Sequence, residues 1–273
     1  MSMNTAGREP PLQLGRVLLT GASGRMGEVL RPALAAHARI LRITSRRELS
    51  TEHSNEEFVR GDLADLDQAL AILDGVDSVV HLAGIPDEAP FDQIVQGNII
   101  ATQNLYEAAR RSGVKRVIFA STNHVVGYYP ATAELTPDDP PRPDTFYGAS
   151  KVFGEALARL YFDKWGIESV CLRIGSFRDR PKDVRQLSTW LSHRDGVGLV
   201  LAALRAERVG CAVLFGISDN TRKWWDMSPA ETLLGYRVQD NAEVFAEEFG
   251  EATSEFDRQG GAFASPEYTG GLG

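Results

Sequence analysis

Tyr147-Gly148-Ala149-Ser150-Lys151 sets a phenol and an ammonium group four residues apart. On a helix that spacing puts both side chains on one face. An ammonium beside a phenol lowers the phenol's pKa toward neutrality, and the phenolate takes a hydroxyl proton as hydride leaves the carbon. Tyr147 is therefore the candidate acid/base and Lys151 its tuning partner. Such a site needs a further hydroxyl that both donates and accepts. Ser121 and Thr122 supply one each at the end of a β-like run, followed by Asn123 and His124. With Tyr147 as the base, His124 is expected to support the site or to contact substrate.

A second motif lies near the start. Thr20-Gly21-Ala22-Ser23-Gly24-Arg25-Met26-Gly27 follows a strand-like run and opens a helix-like one. Glycine is required where a backbone turns tightly and where a pyrophosphate must approach main-chain N–H groups. A helix N-terminus behind the turn adds partial positive charge. Gly21, Ser23, Gly24, Arg25, Met26 and Gly27 are the candidate phosphate cradle.

These motifs need a scaffold, and the hydrophobic pattern provides one. Short β-branched runs at 16–20, 39–44, 57–61, 78–82, 116–120 and 168–174 alternate with helical patterns at 27–36, 65–73, 93–112 and 147–165. That alternation predicts βαβ units on a parallel sheet, an α/β Rossmann fold doubly wound about it. After Gly175 the alternation loosens into helices near 187–192 and 197–206 and a strand at 211–216. The reading divides the chain into a disordered tail at 1–14, a nucleotide-binding core at 15–175, a small substrate lobe at 176–250 and a loose tail at 251–273.

Glycines at 21, 24 and 27 give the spacing G-x-x-G-x-x-G, and with Tyr-x-x-x-Lys the chain resembles the extended short-chain dehydrogenase/reductase family. The resemblance runs from Arg16 through most of the chain and implies a nicotinamide cofactor. It implies that Asp62 and Leu63 contact adenine, that Leu82, Ala83, Gly84 and Ile174 line the cofactor, and that Asn98 shapes the water path. It assigns the catalytic hydroxyl to Thr122, with Ser121 as the fallback. NAD-using members carry an acid at the end of the second strand for the ribose 2′-OH. Here Ser45, Arg46 and Arg47 stand there, groups that suit a 2′-phosphate. The expectation is NADP, or dual use of NADP and NAD.

Longer stretches, including Asn123-His124-Val125-Val126-Gly127, Arg173-Ile174-Gly175-Ser176 and Leu187-Ser188-Thr189-Trp190, resemble bacterial uronate dehydrogenases. Those enzymes oxidise C1 of a cyclic hexuronic acid to its lactone, and the resemblance gives Asn123, Ser176 and Arg185 to the substrate carboxylate. Pro86 stands where that group has a serine. Pro86 and Gly216-Ile217-Ser218-Asp219-Asn220 instead resemble a sister group, short glucose-6-phosphate dehydrogenases. The loop 177–185 carries Arg178, Arg180, Lys182 and Arg185, and a dianion needs more positive charge than a carboxylate. Glucose 6-phosphate is accordingly the first expectation and a hexuronate the alternative. A sugar-nucleotide epimerase or dehydratase would need a larger pocket than the chain after Gly175 provides. A redox-reading regulator would not need the Tyr147–Lys151 pair.

Composition bounds the rest. The 273 residues carry a net charge of −8, which disfavours a nucleic-acid surface. No apolar run approaches the roughly 18 residues of a membrane span, and residues 1–11 lack a signal-peptide core. Cys171 and Cys211 lie in apolar runs and are expected to be reduced, buried thiols of a cytoplasmic protein. No metal site is expected. The expected partner is a small anionic sugar, with a homo-oligomer formed through the helices at 93–112 and 147–165.

Overall fold

A computed structural model describes residues 13–250 and 256–270. Seven strands form one parallel sheet, β1 (Leu14–Thr20), β2 (Ala38–Ser45), β3 (Glu56–Arg60), β4 (Ser78–His81), β5 (Arg116–Thr122), β6 (Glu168–Ile174) and, from the far end of the chain, the strand Cys211–Gly216. Val17, Leu18 and Leu19 on β1 are fully buried although they point to alternate faces. Parallel strands are covered on both sides, which explains these unbroken apolar runs.

Helices α1 (Arg25–His37), α2 (Leu66–Leu73), α3 (Phe91–Ile94), α4 (Ala101–Ser112) and α5 (Phe146–Trp165) connect the first six strands. Leu30 and Leu34 of α1 pack on one face of the sheet with Leu41 and Ile43. Ile72, Leu105, Tyr106 and Leu157 of α2, α4 and α5 cover the other with Leu18 and Phe119. Beyond β6 come β7 (Ser176–Phe177), α6 (Gln186–Thr189), β8 (Trp190–Leu191), α7 (His193–Arg205), the seventh strand, now numbered β9, and α8 (Ser228–Leu234).

The sheet order is β3-β2-β1-β4-β5-β6-β9. The chain runs outward from β1 to β3, crosses back to β4 beside β1, and then runs outward the other way. Ligands of open α/β sheets bind at the carboxyl ends of the strands where the order reverses. In this chain that crevice lies between Thr20-Gly21 and Leu82-Ala83-Gly84.

Four expectations need correction. Leu14, assigned to the tail, pairs with Ala38 in the sheet, while residues 1–12 of that tail lie outside the described residues. The boundary at 175 does not separate a lobe, because β9 pairs with β6 along Ser169–Ile174 and completes the core sheet. The helix expected near 187–192 is one turn followed by β8, since Trp190 and Leu191 pair with Ser176 and Phe177. Residues 256–270 of the expected loose tail are folded onto the body, with Gln259 fully buried; 251–255 and 271–273 lie outside the described residues. Among the described residues no helix is long and apolar enough to cross a membrane. Both cysteines are free; Cys171 is buried and Cys211 only partly so.

Candidate active site

The glycine turn follows β1 directly. Gly21 has φ +71°, a left-handed conformation that favours glycine, and a Cβ there would meet the Ala83 backbone nitrogen at 2.9 Å. A Cβ at Gly27 would collide with the Gly21 carbonyl and the Ala22 backbone. Gly24 caps α1 without any side-chain hydrogen bond. The first turn of a helix carries N–H groups without internal partners, and among the described residues no side chain takes them. A bare backbone cradle at a helix N-terminus fits a pyrophosphate.

β4 is locked to this turn by a buried relay. Thr20 Oγ1 accepts the Leu82 and Ala83 N–H groups at 3.2 and 3.1 Å and lies 2.8 Å from His81 Nδ1. With both acceptor sites used, the Thr20 hydroxyl donates its proton to Nδ1. Burial pushes the His81 pKa down to about 3, with Lys151 adding to the effect, so the ring is neutral. Asn98 organises the next stretch. It accepts from the Ile85 N–H at 2.7 Å and donates to the Ile85 carbonyl at 3.0 Å and the Ser150 hydroxyl at 2.9 Å. The single helix expected over 93–112 is interrupted here by a π-helical turn, Val95–Ile100. That wide turn sets Asn98 between the Gly84-Ile85 backbone and α5, so its side chain is spent on protein groups.

Where the sequence leads one to expect adenine, Asp62 closes a turn by accepting the Ala64 N–H at 2.9 Å, and Leu63 is buried. Ser45 ends β2 and its hydroxyl accepts the Arg47 N–H at 3.1 Å. Arg46 and Arg47 are exposed, and neither guanidinium has a protein partner among the described residues. Arg31 of α1 steadies the loop after them through Glu56 (2.7 Å), Glu52 (2.8 Å) and the Ser50 carbonyl (2.6 Å).

Tyr147 and Lys151 enter the cleft from the first two turns of α5. Thr145 caps this helix by accepting the Gly148 N–H at 2.9 Å, and Glu88 accepts the Tyr147 N–H at 3.0 Å. Lys151 Nζ stands 4.9 Å from the Phe119 ring centre and 5.8 Å from that of Tyr147. Burial pushes the Lys151 pKa down to about 8. The phenol does not have the lowered pKa expected of it. Burial pushes Tyr147 up to about 12, Asp144 and Asp87 add to the rise, and a hydrogen bond with Thr122 opposes it.

Thr122 and Ser121 point to opposite faces of β5, as successive strand residues must. Thr122 faces Tyr147. Ser121 donates instead to Glu155 at 2.5 Å, and Glu155 takes two hydrogen bonds of 3.0 Å from Arg173 of β6. Ser121 thus belongs to a buried ion pair beneath the site and is not available as a fallback.

On the substrate side, Asn123 donates to the Ile174 carbonyl at 3.1 Å and accepts from Arg185 Nη2 at 3.0 Å. Arg185 Nε donates to the Gln259 carbonyl at 2.7 Å. Ser176 Oγ lies 3.0 Å from Thr189 Oγ1. His124 Nδ1 lies 2.8 Å from Asp144, and its ring stacks on Phe263 with centres 3.9 Å apart. The basic loop is less concentrated than its sequence implies. Arg180 is ion-paired with Glu248 at the surface and stacks on Phe245, and Lys182 is exposed. Arg178 offers its backbone to Trp190 and Leu191, while its side chain has no protein partner among the described residues.

Residues 17–207 match the NAD dependent epimerase/dehydratase family. The chain belongs to that family. The uronate dehydrogenase of Agrobacterium fabrum is 50% identical over 238 residues that span 87% of this chain and 89% of the relative. The NAD-dependent glucose-6-phosphate dehydrogenase of Haloferax volcanii is 38% identical over 255 residues, 84% of this chain and 95% of that one. Among solved structures, a tyrosine-to-alanine mutant of uronate dehydrogenase from Agrobacterium tumefaciens complexed with NAD superposes with a TM-score of 0.88. It is 48% identical and covers 94% of this chain and 99% of its own.

Several groups around this candidate site have no sequence signal. Gln259 is held at five points. Its N–H donates to Tyr129, its amide nitrogen to Pro130 and Ala133, its amide oxygen accepts from Trp225, and its carbonyl accepts from Arg185. Tyr268, stacked on Phe263, donates to Asp87 at 2.6 Å. The hydrogen bonds of Gln259 and Tyr268 span 34 to 181 residues of sequence from a glycine-rich stretch, where no local pattern announces them. Glu155 did have a signal, because it continues the i, i+4 stripe of Tyr147 and Lys151.

Proposed function

We propose that this protein is an NAD(P)-dependent uronate dehydrogenase, oxidising C1 of a cyclic hexuronic acid to the lactone. The observation that carries the substrate choice is the anion site, which holds one well-oriented cation. Arg185 is aimed by Asn123 and Gln259, whereas Arg180, expected to help bind a phosphate, is committed to Glu248. Asp87 and Asp144 lie close enough to raise the Tyr147 pKa, and the same negative field disfavours a dianion more than a monoanion. The high identity to uronate dehydrogenases supports the same reading, so glucose 6-phosphate yields its position as first choice.

In this reading the cradle at 21–27, with Asp62 and Leu63 beyond it, holds the dinucleotide. When bound, the oxidised nicotinamide would supply the hydride acceptor. Tyr147 takes the C1 hydroxyl proton, Thr122 hydrogen-bonds the same oxygen, and Lys151, with its pKa near 8, is mostly charged at neutral pH. That charge favours the phenolate against the burial that opposes it. Arg185 and Asn123 orient the carboxylate, and Ser176 borders them. A homo-oligomer formed through α4 and α5 belongs to the same reading, and Leu160 and Trp165 stand exposed on α5.

Side-by-side assays of cofactor reduction with glucuronate, galacturonate and glucose 6-phosphate test the substrate. The expected result is a kcat/KM at least tenfold higher for a uronate. Faster oxidation of glucose 6-phosphate overturns the choice.

The free guanidinium groups of Arg46 and Arg47, with Ser45 beside them, support use of NADP as well as NAD. Replacing both arginines by alanine should weaken NADP binding by about 1.5–3 kcal/mol, the range for hydrogen bonds to charged groups. NAD binding should stay within about twofold. Equal weakening of both in titration calorimetry would mean that the arginines shape the loop without reading the 2′ position.

A further inference from the structure

Asp144 stands just before the cap of α5, at the end of the proline-containing loop, and nothing in the Tyr–Lys chemistry uses it. Its side chain is fully buried. Oδ2 lies 2.8 Å from His124 Nδ1 and Oδ1 accepts the Thr145 hydroxyl at 3.1 Å. Two glycines close over it. A Cβ at either Gly127 or Gly260 would collide with the carboxylate, and the Gly260 N–H donates to the Gly127 carbonyl at 2.9 Å. The C-terminal segment therefore forms part of the lid that keeps water from this carboxylate.

A carboxylate accepts and does not donate, so the proton shared with His124 sits on Nδ1. In the neutral ring Nε2 is then an acceptor. This tautomer is set by the partner on the other nitrogen, as in other carboxylate–histidine pairs. Phe263 holds the ring plane from one side by stacking, and the Tyr147 ring lies 6.0 Å away. Nε2 has no protein hydrogen-bond partner among the described residues, and it is not among the buried atoms left unsatisfied. It is thus accessible, on a ring whose centre lies 6.0 Å from that of the catalytic phenol.

We propose that Asp144 is a positioning residue that fixes His124 as an Nε2 acceptor, so that the site reads a donating hydroxyl of the sugar ring next to the reacting carbon. A donor in that place would select differently, because a ring N–H cannot accept a hydroxyl proton. The proposal rests on the assignment of this cleft to a sugar substrate, but its first test does not.

The test uses the full-length enzyme with Asp144→Asn, which keeps the shape of the buried group. The Thr145 hydroxyl goes on donating to the amide oxygen, so the amide nitrogen faces His124 and donates to Nδ1. The tautomer should switch from Nδ1–H to Nε2–H, read from ¹⁵N shifts of labelled histidine without any substrate. An unchanged tautomer overturns the proposal whatever the substrate is. With the best uronate, Asp144→Asn should raise KM at least tenfold while kcat falls less than threefold, since removing the carboxylate also eases ionisation of Tyr147. In a His124→Phe background the same substitution should no longer raise KM, because the route through the ring is gone and only the loss of a negative charge, which eases anion binding, remains. Equal effects in both backgrounds would mean that Asp144 acts only through packing, and the proposal fails. If the tautomer switches but no uronate is turned over by the unmodified enzyme, the fault lies with the substrate reading instead.

Discussion

Tyr147→Phe should lower kcat by a factor on the order of 10² to 10⁴ while leaving the cofactor's dissociation constant within about twofold. The substitution removes only the hydroxyl that takes the proton, and the ring keeps its place against Lys151 and His124. The size of the loss follows from the buried setting of the phenol. Ionising Tyr147 is opposed by burial and by two carboxylates, so the hydroxyl is costly to ionise and nothing nearby replaces it. Thr122 hydrogen-bonds the phenol, but an alcohol of ordinary acidity does not take over its role as base. Steady-state kinetics with a uronate, with calorimetric titration of NAD, measure both halves of this expectation. Near-normal kcat in the variant would remove Tyr147 from the mechanism.

Glu155→Leu should destabilise the fold by about 3–5 kcal/mol, the range for stripping one partner from a buried ion pair. The Arg173 side chain is only 3% exposed and would keep its charge without the two hydrogen bonds that compensate it. Ser121 would lose its acceptor at the same stroke. Urea denaturation of the variant against the parent gives the number, and a change below about 1 kcal/mol would mean that water or the Pro137 carbonyl, 3.2 Å from Arg173 Nη1, takes over. Replacing both charges, Glu155→Leu with Arg173→Met, should recover most of the loss. The pair also ties α5 to β5 and β6, eight residues along the helix from Tyr147, which fixes the phenol against Thr122.

Much of this architecture is legible in the residues themselves. The turn at Gly21–Gly27 and the Tyr147–Lys151 pair are local patterns, and each lies where its pattern puts it, one at the end of β1 and the other at the start of α5. The strands were legible because burial on both faces leaves continuous apolar runs. The less legible parts depend on partners distant in sequence. Nothing in Ser121 and Thr122 as a dipeptide tells which hydroxyl faces the cleft, since that depends on where Glu155 docks. Arg180 looked like a phosphate ligand only because Glu248 lies 68 residues away in the chain. The expected drop in the Tyr147 pKa failed for a related reason. Two residues on a helix stripe share a face, but the desolvation they meet is set by everything packed over them.

The five-point anchoring of Gln259 has a consequence for how the molecule is made. Chains emerge from the ribosome N-terminus first, at about 5–20 residues per second, and fold as they emerge. β9 ends at Gly216, so the last strand of the parallel sheet emerges before residue 259 does, by about 2–9 s at that rate. During that interval the nucleotide half has all of its strands, while Arg185 still lacks the carbonyl that aims it and His124 lacks the ring that holds it flat. On the uronate reading proposed above, nascent protein would thus acquire the ability to grip a dinucleotide before the ability to orient a sugar acid.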